Sequence, residues 1–220
     1  MKCECREWIP TEIDYKISDW EGRKITLKNV PAQSCPKCNS VRVDSDDLLK
    51  AEQRELANEI GVTSLELSVL LLLEAPAPRF AKYPHRIDHR YRMNKMLFYL
   101  WKRLGEKGFG DSWVHDVFES KTKGPVPVHL NETAISLKQR NLIRLQEGGR
   151  AVEKPFVYEL SPNGEKVAAK VWAKIPSDFK NVIESVKKDL MFLDTTQLMH
   201  KVHKEYPDYR ATYKEPDTDR

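Results

Sequence analysis

Gly124-Pro125-Val126-Pro127 opens the stretch, running to Ala169, whose reading decides the fold. After it, Leu130, Ala134 and Leu137 recur at helical spacing with Ile135 flanking, so residues 128–140 can lay one face on a core. Asn141-Leu142-Ile143-Arg144-Leu145 and Phe156-Val157-Tyr158-Glu159-Leu160 are short β-rich runs on either side of a loop holding Gly148 and Gly149. That pattern predicts a hairpin with a long tip. Ser161-Pro162 then starts a helix: the serine oxygen can accept from orphan N–H groups, and the proline ring is already set at helical φ. Helix, hairpin, helix is the order expected around the wing of a winged helix.

Working back toward the N-terminus, Met93, Met96, Leu97, Leu100 and Trp101 give the next helix its apolar face, with Arg90, Arg92, Lys95, Lys102 and Arg103 expected on or near its wet side. Residues 77–89 read as an irregular basic loop, in which His85 and His89 are expected to be solvated surface histidines. The nearly all-apolar run 65–73, capped by Thr63-Ser64 and ended by Pro76 and Pro78, reads as a buried helix. Asp44-Ser45-Asp46-Asp47 starts another helix that Gly61 stops. Beyond the hairpin, residues 165–174 are amphipathic, and Pro176-Ser177-Asp178 and Asp194-Thr195-Thr196 restart two further helices. Leu70, Leu73, Leu97, Leu100, Trp101, Leu137, Leu142, Tyr158 and Leu160 are expected to be buried together.

The first 45 residues have a different character. Cys3 and Cys5 form one pair, and Cys35 and Cys38 the other, in Cys35-Pro36-Lys37-Cys38. Between them two strands are expected, over 12–17 and 23–30. So short a segment buries too little surface to fold alone, and four thiolates on one structural Zn²⁺ would supply the missing stability. The competing readings are free thiols or a redox pair.

Composition bounds the rest. The chain has 220 residues, enough for one large domain or two small ones, with 40% hydrophobic and 32% charged residues and a net charge of +4. That charge permits nucleic-acid binding without demanding it. Four cysteines are too few for a disulfide framework. No signal peptide and no span of about 20 apolar residues is read, so a soluble cytoplasmic protein without membrane contact is expected. No Gly-x-Ser-x-Gly elbow, His-Glu-x-x-His or phosphate loop is present, and no acid/base pair can be assembled from His200, His203 or the aspartates. A non-enzymatic role is expected.

Two resemblances follow from these residues. The N-terminal cysteines, the hairpin and Val30-Pro31-Ala32-Gln33-Ser34-Cys35-Pro36-Lys37-Cys38 resemble the zinc-finger half of the MqsA-type (YgiT-type) antitoxins, with Cys-x-Cys in place of their usual first pair. Residues 68–213 resemble the YwgA-type family and the related phage-associated Panacea (SocA-like) antitoxin domains. The matching pieces, in order, are Val69-Leu70-Leu71-Leu72-Leu73, Met93-Asn94-Lys95-Met96-Leu97-Phe98-Tyr99-Leu100, Lys123-Gly124-Pro125-Val126, Tyr158-Glu159-Leu160-Ser161-Pro162-Asn163-Gly164 and the segment from Gln197 to Pro207. Lys123 stands where that family carries an aromatic residue.

The resulting expectation is an α+β chain: a zinc-finger-like module at 1–45, a connecting helix at 46–63, a mainly helical winged-helix-like domain at 64–213 with a β-hairpin wing, and a flexible tail at 214–220. Cys3, Cys5, Cys35 and Cys38 are the expected zinc ligands. Asn131, Lys138, Gln139 and Arg140 on the helix, with Glu132, and Arg144 and Arg150 in the hairpin, are the groups available to phosphates or base edges of duplex DNA. The resemblance implies an antitoxin-like regulator of a toxin–antitoxin or phage-defence system. The second hypothesis is a protein-binding module that neutralises a cognate toxin or acts as an adaptor. A homodimer is admitted by either.

Overall fold

The computed structural model describes residues 7–18, 24–77, 82–107, 118–119, 124–147 and 156–209. The chain is mixed α+β, with small antiparallel sheets among the helices.

At the N-terminal end, β1 (Ile9–Ser18), β2 (Lys24–Ser34) and β3 (Val41–Val43) form an antiparallel sheet in that order. Both strands expected here are present, and β2 runs on to the residue before Cys35. Pro31 is tolerated because β3 pairs only with Ala32, Gln33 and Ser34, so at the proline β2 is hydrogen-bonded on one side. The third strand is too short to show alternation. Between Ile13 and Tyr15 the register shifts, and the Asp14 carboxylate answers the irregularity by accepting from Lys28 Nζ at 2.8 Å and Asn29 N at 3.4 Å. The inner face buries Leu27 and Val30 against Ala51 of α1 (Ser45–Ile60). The helix expected to connect two units therefore packs on β2 as part of this module. Its far end, at Ala57, joins the main core.

α1 ends as its sequence predicts. Gly61 takes φ +66°, its N–H bonds Asn58 O and Val62 N–H bonds Ala57 O, both orphan carbonyls being satisfied. Thr63 caps α2 (Ser64–Glu74): Glu66 N donates to Thr63 Oγ1 at 3.2 Å and Thr63 N to Glu66 Oε2 at 2.7 Å. Every residue from Leu65 to Leu73 is buried, so α2 is the helix around which the larger core is built.

The chain then passes through β4 (Arg86–Ile87), α3 (Arg90–Glu106), a small pair β5 (Phe118–Glu119) and β6 (Val126–Pro127), α4 (Leu130–Gln139), the hairpin β7 (Ile143–Glu147) and β8 (Phe156–Leu160), α5 (Pro162–Lys174), α6 (Ser177–Leu190) and α7 (Thr195–Glu205). A 3-10 turn, Pro207–Tyr209, closes the described chain. The hairpin and the three helix starts after it stand where the sequence puts them. The basic loop does not stay irregular: β4 pairs antiparallel with β8, giving a second sheet of order β4-β8-β7. Two residues beside Pro84 carry no periodicity to read. Leu70, Leu73, Leu97, Leu100, Leu137, Leu142, Tyr158 and Leu160 share one core, with Trp101 partly buried at its edge.

Lys95 corrects the expectation of a wet basic face on α3, and a second lysine, on α6, is buried in the same way. Lys95 is fully buried, and its Nζ donates to Pro125 O at 2.6 Å. Gly124 curls over it at φ +87°, where an added Cβ would stand 3.3 Å from Lys95 Nζ. Lys187 of α6, also fully buried, spends all three N–H donors on Leu73 O, Ala75 O and Pro84 O at 2.8, 2.5 and 2.8 Å. The Lys187 ammonium thus fixes the exit of α2 and the approach to β4. Desolvation pushes both amines down to about 7. Arg103 bonds Ser185 and Asp189, and Arg92 bonds Asp88 O and Leu193 O. Helical spacing puts these cations near the seam between helices, and spacing alone does not tell a seam from solvent.

Candidate nucleic-acid interface

α4 is held from behind. Leu130, Thr133, Ala134 and Leu137 are buried. At its end Asn141 adopts φ +54°, Asn141 N bonds Lys138 O and Leu142 N bonds Leu137 O, so an asparagine serves where glycine commonly closes a helix. Ser161 locks the next junction. Its N–H donates to Leu142 O at 3.1 Å, its hydroxyl donates to Asn141 O, and the same oxygen accepts from Gly164 N at 2.9 Å. Gly164 must be glycine because a Cβ there would lie 1.8 Å from Leu142 O.

A second anchor runs through Glu66, which is 3% exposed. Its carboxylate accepts from Thr63 N, from Ser136 Oγ at 2.5 Å and from Arg140 Nη1 at 3.3 Å. Arg140 Nη2 also donates to Ile60 O at 3.2 Å. Behind this end of α4 lies an open cavity of about 300 Å³ lined by Ile60, Arg140, Leu142, Asn163, Val167 and Lys170.

With its inner face fixed, α4 turns Asn131, Glu132, Ile135, Lys138 and Gln139 outward, all exposed, with Val128 one turn earlier. Asn131, Lys138 and Gln139 are thus brought together on one face. Arg140 is surface-accessible but committed to α2 and α1, so it anchors the helix. Arg144 is exposed on β7, opposite Glu159, whose other cross-strand neighbour is Arg86. A row Arg86–Glu159–Arg144 therefore crosses the outer side of the sheet. Arg86 is drawn toward Asp88, at 2.6 Å, and its guanidinium also lies over Tyr83. Arg150 lies outside the described residues.

The cysteine pair stands apart from this surface. Cys35 is buried and Cys38 exposed, in a turn closed by Cys35 N to Ser40 O and Asn39 N to Cys35 O, both 2.9 Å, with Cys38 Sγ 3.1 Å from Ser40 Oγ. Asn39 supplies the left-handed residue at φ +56°. The register pairs Ile9 with Ser34, so β1 begins beside this turn. Cys3 and Cys5 lie outside the described residues, and among those described no three His, Cys, Asp or Glu side chains gather as a metal site. His85 is not simply solvated: its Nδ1 lies 3.5 Å from Glu74 Oε2, half-buried.

Sequence reasoning missed Glu66 and Ser136 as positioning residues. Thr63-Ser64-Leu65-Glu66 carries the capping-box signature that names Glu66, but its reach to α4 is a tertiary fact. No helix among the described residues is long and apolar enough to cross a membrane. Comparison of the chain with protein-family models, curated proteins and solved structures finds no match.

Proposed function

We propose that residues 64–174 form a winged helix and that the protein is a DNA-binding regulator of antitoxin-like type. In this reading α2, α3 and α4 are the three helices, β4 is the strand between the first two, and β7–β8 is the wing. The observation that carries the proposal is α4 itself. It is clamped at Glu66 and Ser161, it sits directly before the hairpin, and its free face bears Asn131, Lys138 and Gln139, the side-chain types that match base edges and phosphates. The N-terminal sheet with α1 is the second part, in which Cys3, Cys5, Cys35 and Cys38 hold a structural Zn²⁺. The cluster of Leu27, Val30 and Ala51, small among the described residues, supports the need for such a staple.

The test is a fluorescence-anisotropy titration with duplexes from the region upstream of the protein's own gene, at low and moderate salt. Binding that weakens steeply with salt is expected, since Lys and Arg contacts release condensed counterions. No binding at low salt removes the proposal and leaves the second reading, a module that neutralises a toxin or serves as an adaptor.

A further inference from the structure

Ile135 is the anomaly of α4. It stands in the middle of the outward face and is 52% exposed, while the positions around it carry an amide, a carboxylate, an ammonium and a second amide, in Asn131, Glu132, Lys138 and Gln139. A protein-binding patch would gather aromatic or apolar neighbours at its centre. Ile135 instead stands singly among groups able to read base edges, with Val128 two turns away and Arg144 exposed on the adjoining strand. In the major groove the apolar feature of a base pair is the 5-methyl group of thymine. The isoleucine suits such a contact, because a β-branched side chain on a helix holds essentially one rotamer and little entropy is lost on docking. The Glu66–Ser136 and Glu66–Arg140 bonds fix the rotation of α4, so the side chain cannot turn inward without breaking them.

We propose that Ile135 is a specificity-determining residue that packs on a thymine methyl at the centre of the DNA site, flanked by adenines taken by Asn131 and Gln139. This inference rests on the reading of α4 as the groove-facing helix. The spacing agrees with it. Asn131 and Gln139 lie four residues to either side, so the three span about 12 Å of helix, or roughly three to four base steps.

The experiment begins with duplexes recovered by the full-length protein from a random-sequence pool. Each is resynthesised with deoxyuridine replacing thymine one position at a time, which deletes the methyl and leaves pairing intact. For the wild-type chain, one position near the centre should lose about fourfold in affinity, the value of one buried methyl. Ile135→Ala, whose folding is checked by its melting temperature, should bind the thymine duplex about as weakly as wild type binds the uracil one and show no further loss. Ile135→Val should retain part of the discrimination. Uracil tolerated at every position by the wild type, or the same uracil penalty in Ile135→Ala, overturns the inference while DNA binding stands. Recovery of no duplex at all overturns the reading beneath it as well.

Discussion

Arg140 and Glu66 meet at 3.3 Å, joining the end of the helix that faces outward to the first turn of the helix buried deepest. The pair is asymmetric. The Arg140 side chain is 35% exposed and Glu66 4%, so the glutamate depends on the arginine more than the reverse. Arg140→Ala should therefore cost about 1–3 kcal/mol of folding stability, because a buried carboxylate loses a charged donor. A urea midpoint measures this. Restoration of most of the loss by adding Glu66→Gln would identify the buried charge as the cause. An unchanged midpoint in Arg140→Ala would return the residue to the list of direct DNA contacts.

Gly164 gives the second prediction. Gly164→Ala places a methyl where Leu142 O already sits, and both belong to backbone that Ser161 has pinned. The junction has to open, at a cost of about 3 kcal/mol or more. Since it carries both the end of α4 and the start of β7, the proposed DNA affinity should fall with stability. Ala replacing Gly105, whose added Cβ meets no described atom within 4 Å beyond its own helix, is the control and should leave stability unchanged or raise it by up to about 1 kcal/mol. Equal midpoints for the two variants would refute the close approach.

The third prediction follows from the buried amines. Lys95 and Lys187 are held near 7 in the folded chain, against an ordinary value of 10.5 in the unfolded one. Between these values the unfolded state binds more protons, so stability rises with pH, by up to about 1.4 kcal/mol per pH unit for each lysine. Below about pH 7 both states are protonated and the penalty is constant. The rise should stop near pH 10, where Tyr91, Tyr158 and Tyr206, pushed up to about 12 by burial, begin to favour the unfolded chain. Denaturant midpoints at pH 7, 8 and 9 should climb, and Lys95→Met should flatten the climb. A wild-type curve that is level or falling over that interval contradicts it.

Metal comes next. One zinc per chain is expected in freshly purified protein, lost in Cys35→Ser and in Cys3→Ser alike. Chelation should melt the β1–β3 sheet first, since among the described residues the cluster on its inner face is Leu27 and Val30 with Ala51 of α1. The larger core, built on α2, should keep its melting transition. Metal-free protein with an intact N-terminal sheet would show that the packing of α1 suffices.

Periodicity and caps made most of this fold legible: Thr63, Ser161 and Asp194 each stand at the N-cap their sequence announces, and Gly61 at the stop. Where the reading failed, the information was tertiary. β4 gains its identity only from pairing with β8, and Lys95 and Lys187 look like surface residues until carbonyls of distant segments close around them. On the outward face of α4, Asn131, Glu132, Lys138 and Gln139 were legible, but Ile135, expected beside the core-facing stripe, is 52% exposed because the helix buries Thr133 in its place. What sequence could not show is that Arg140 at its end is turned to Glu66, because a pair 74 positions apart leaves no local trace.

The last prediction separates orientation from readout. Arg144 is exposed on β7, the strand that follows α4, and its cross-strand neighbour is the acidic Glu159. As a phosphate contact, Arg144 contributes the same free energy on every duplex, and its loss removes about one counterion from the binding equilibrium. Arg144→Ala should thus weaken all sequences alike and lower the slope of log Kobs against log salt by about one unit, and Arg150→Ala should do the same from the hairpin loop. Glu159→Gln should act in the opposite sense, tightening binding at low salt, because it removes a negative charge from the Arg86–Glu159–Arg144 row. Asn131→Ala should differ from all three: it should leave the salt slope unchanged and relax preference at one base pair, worth about 1–3 kcal/mol. Anisotropy titrations at three salt concentrations, on one selected duplex and one scrambled duplex, distinguish these patterns. If Arg144→Ala alters discrimination between the two duplexes while keeping the slope, the sheet and not α4 is the reading surface, and the assignment of roles reverses.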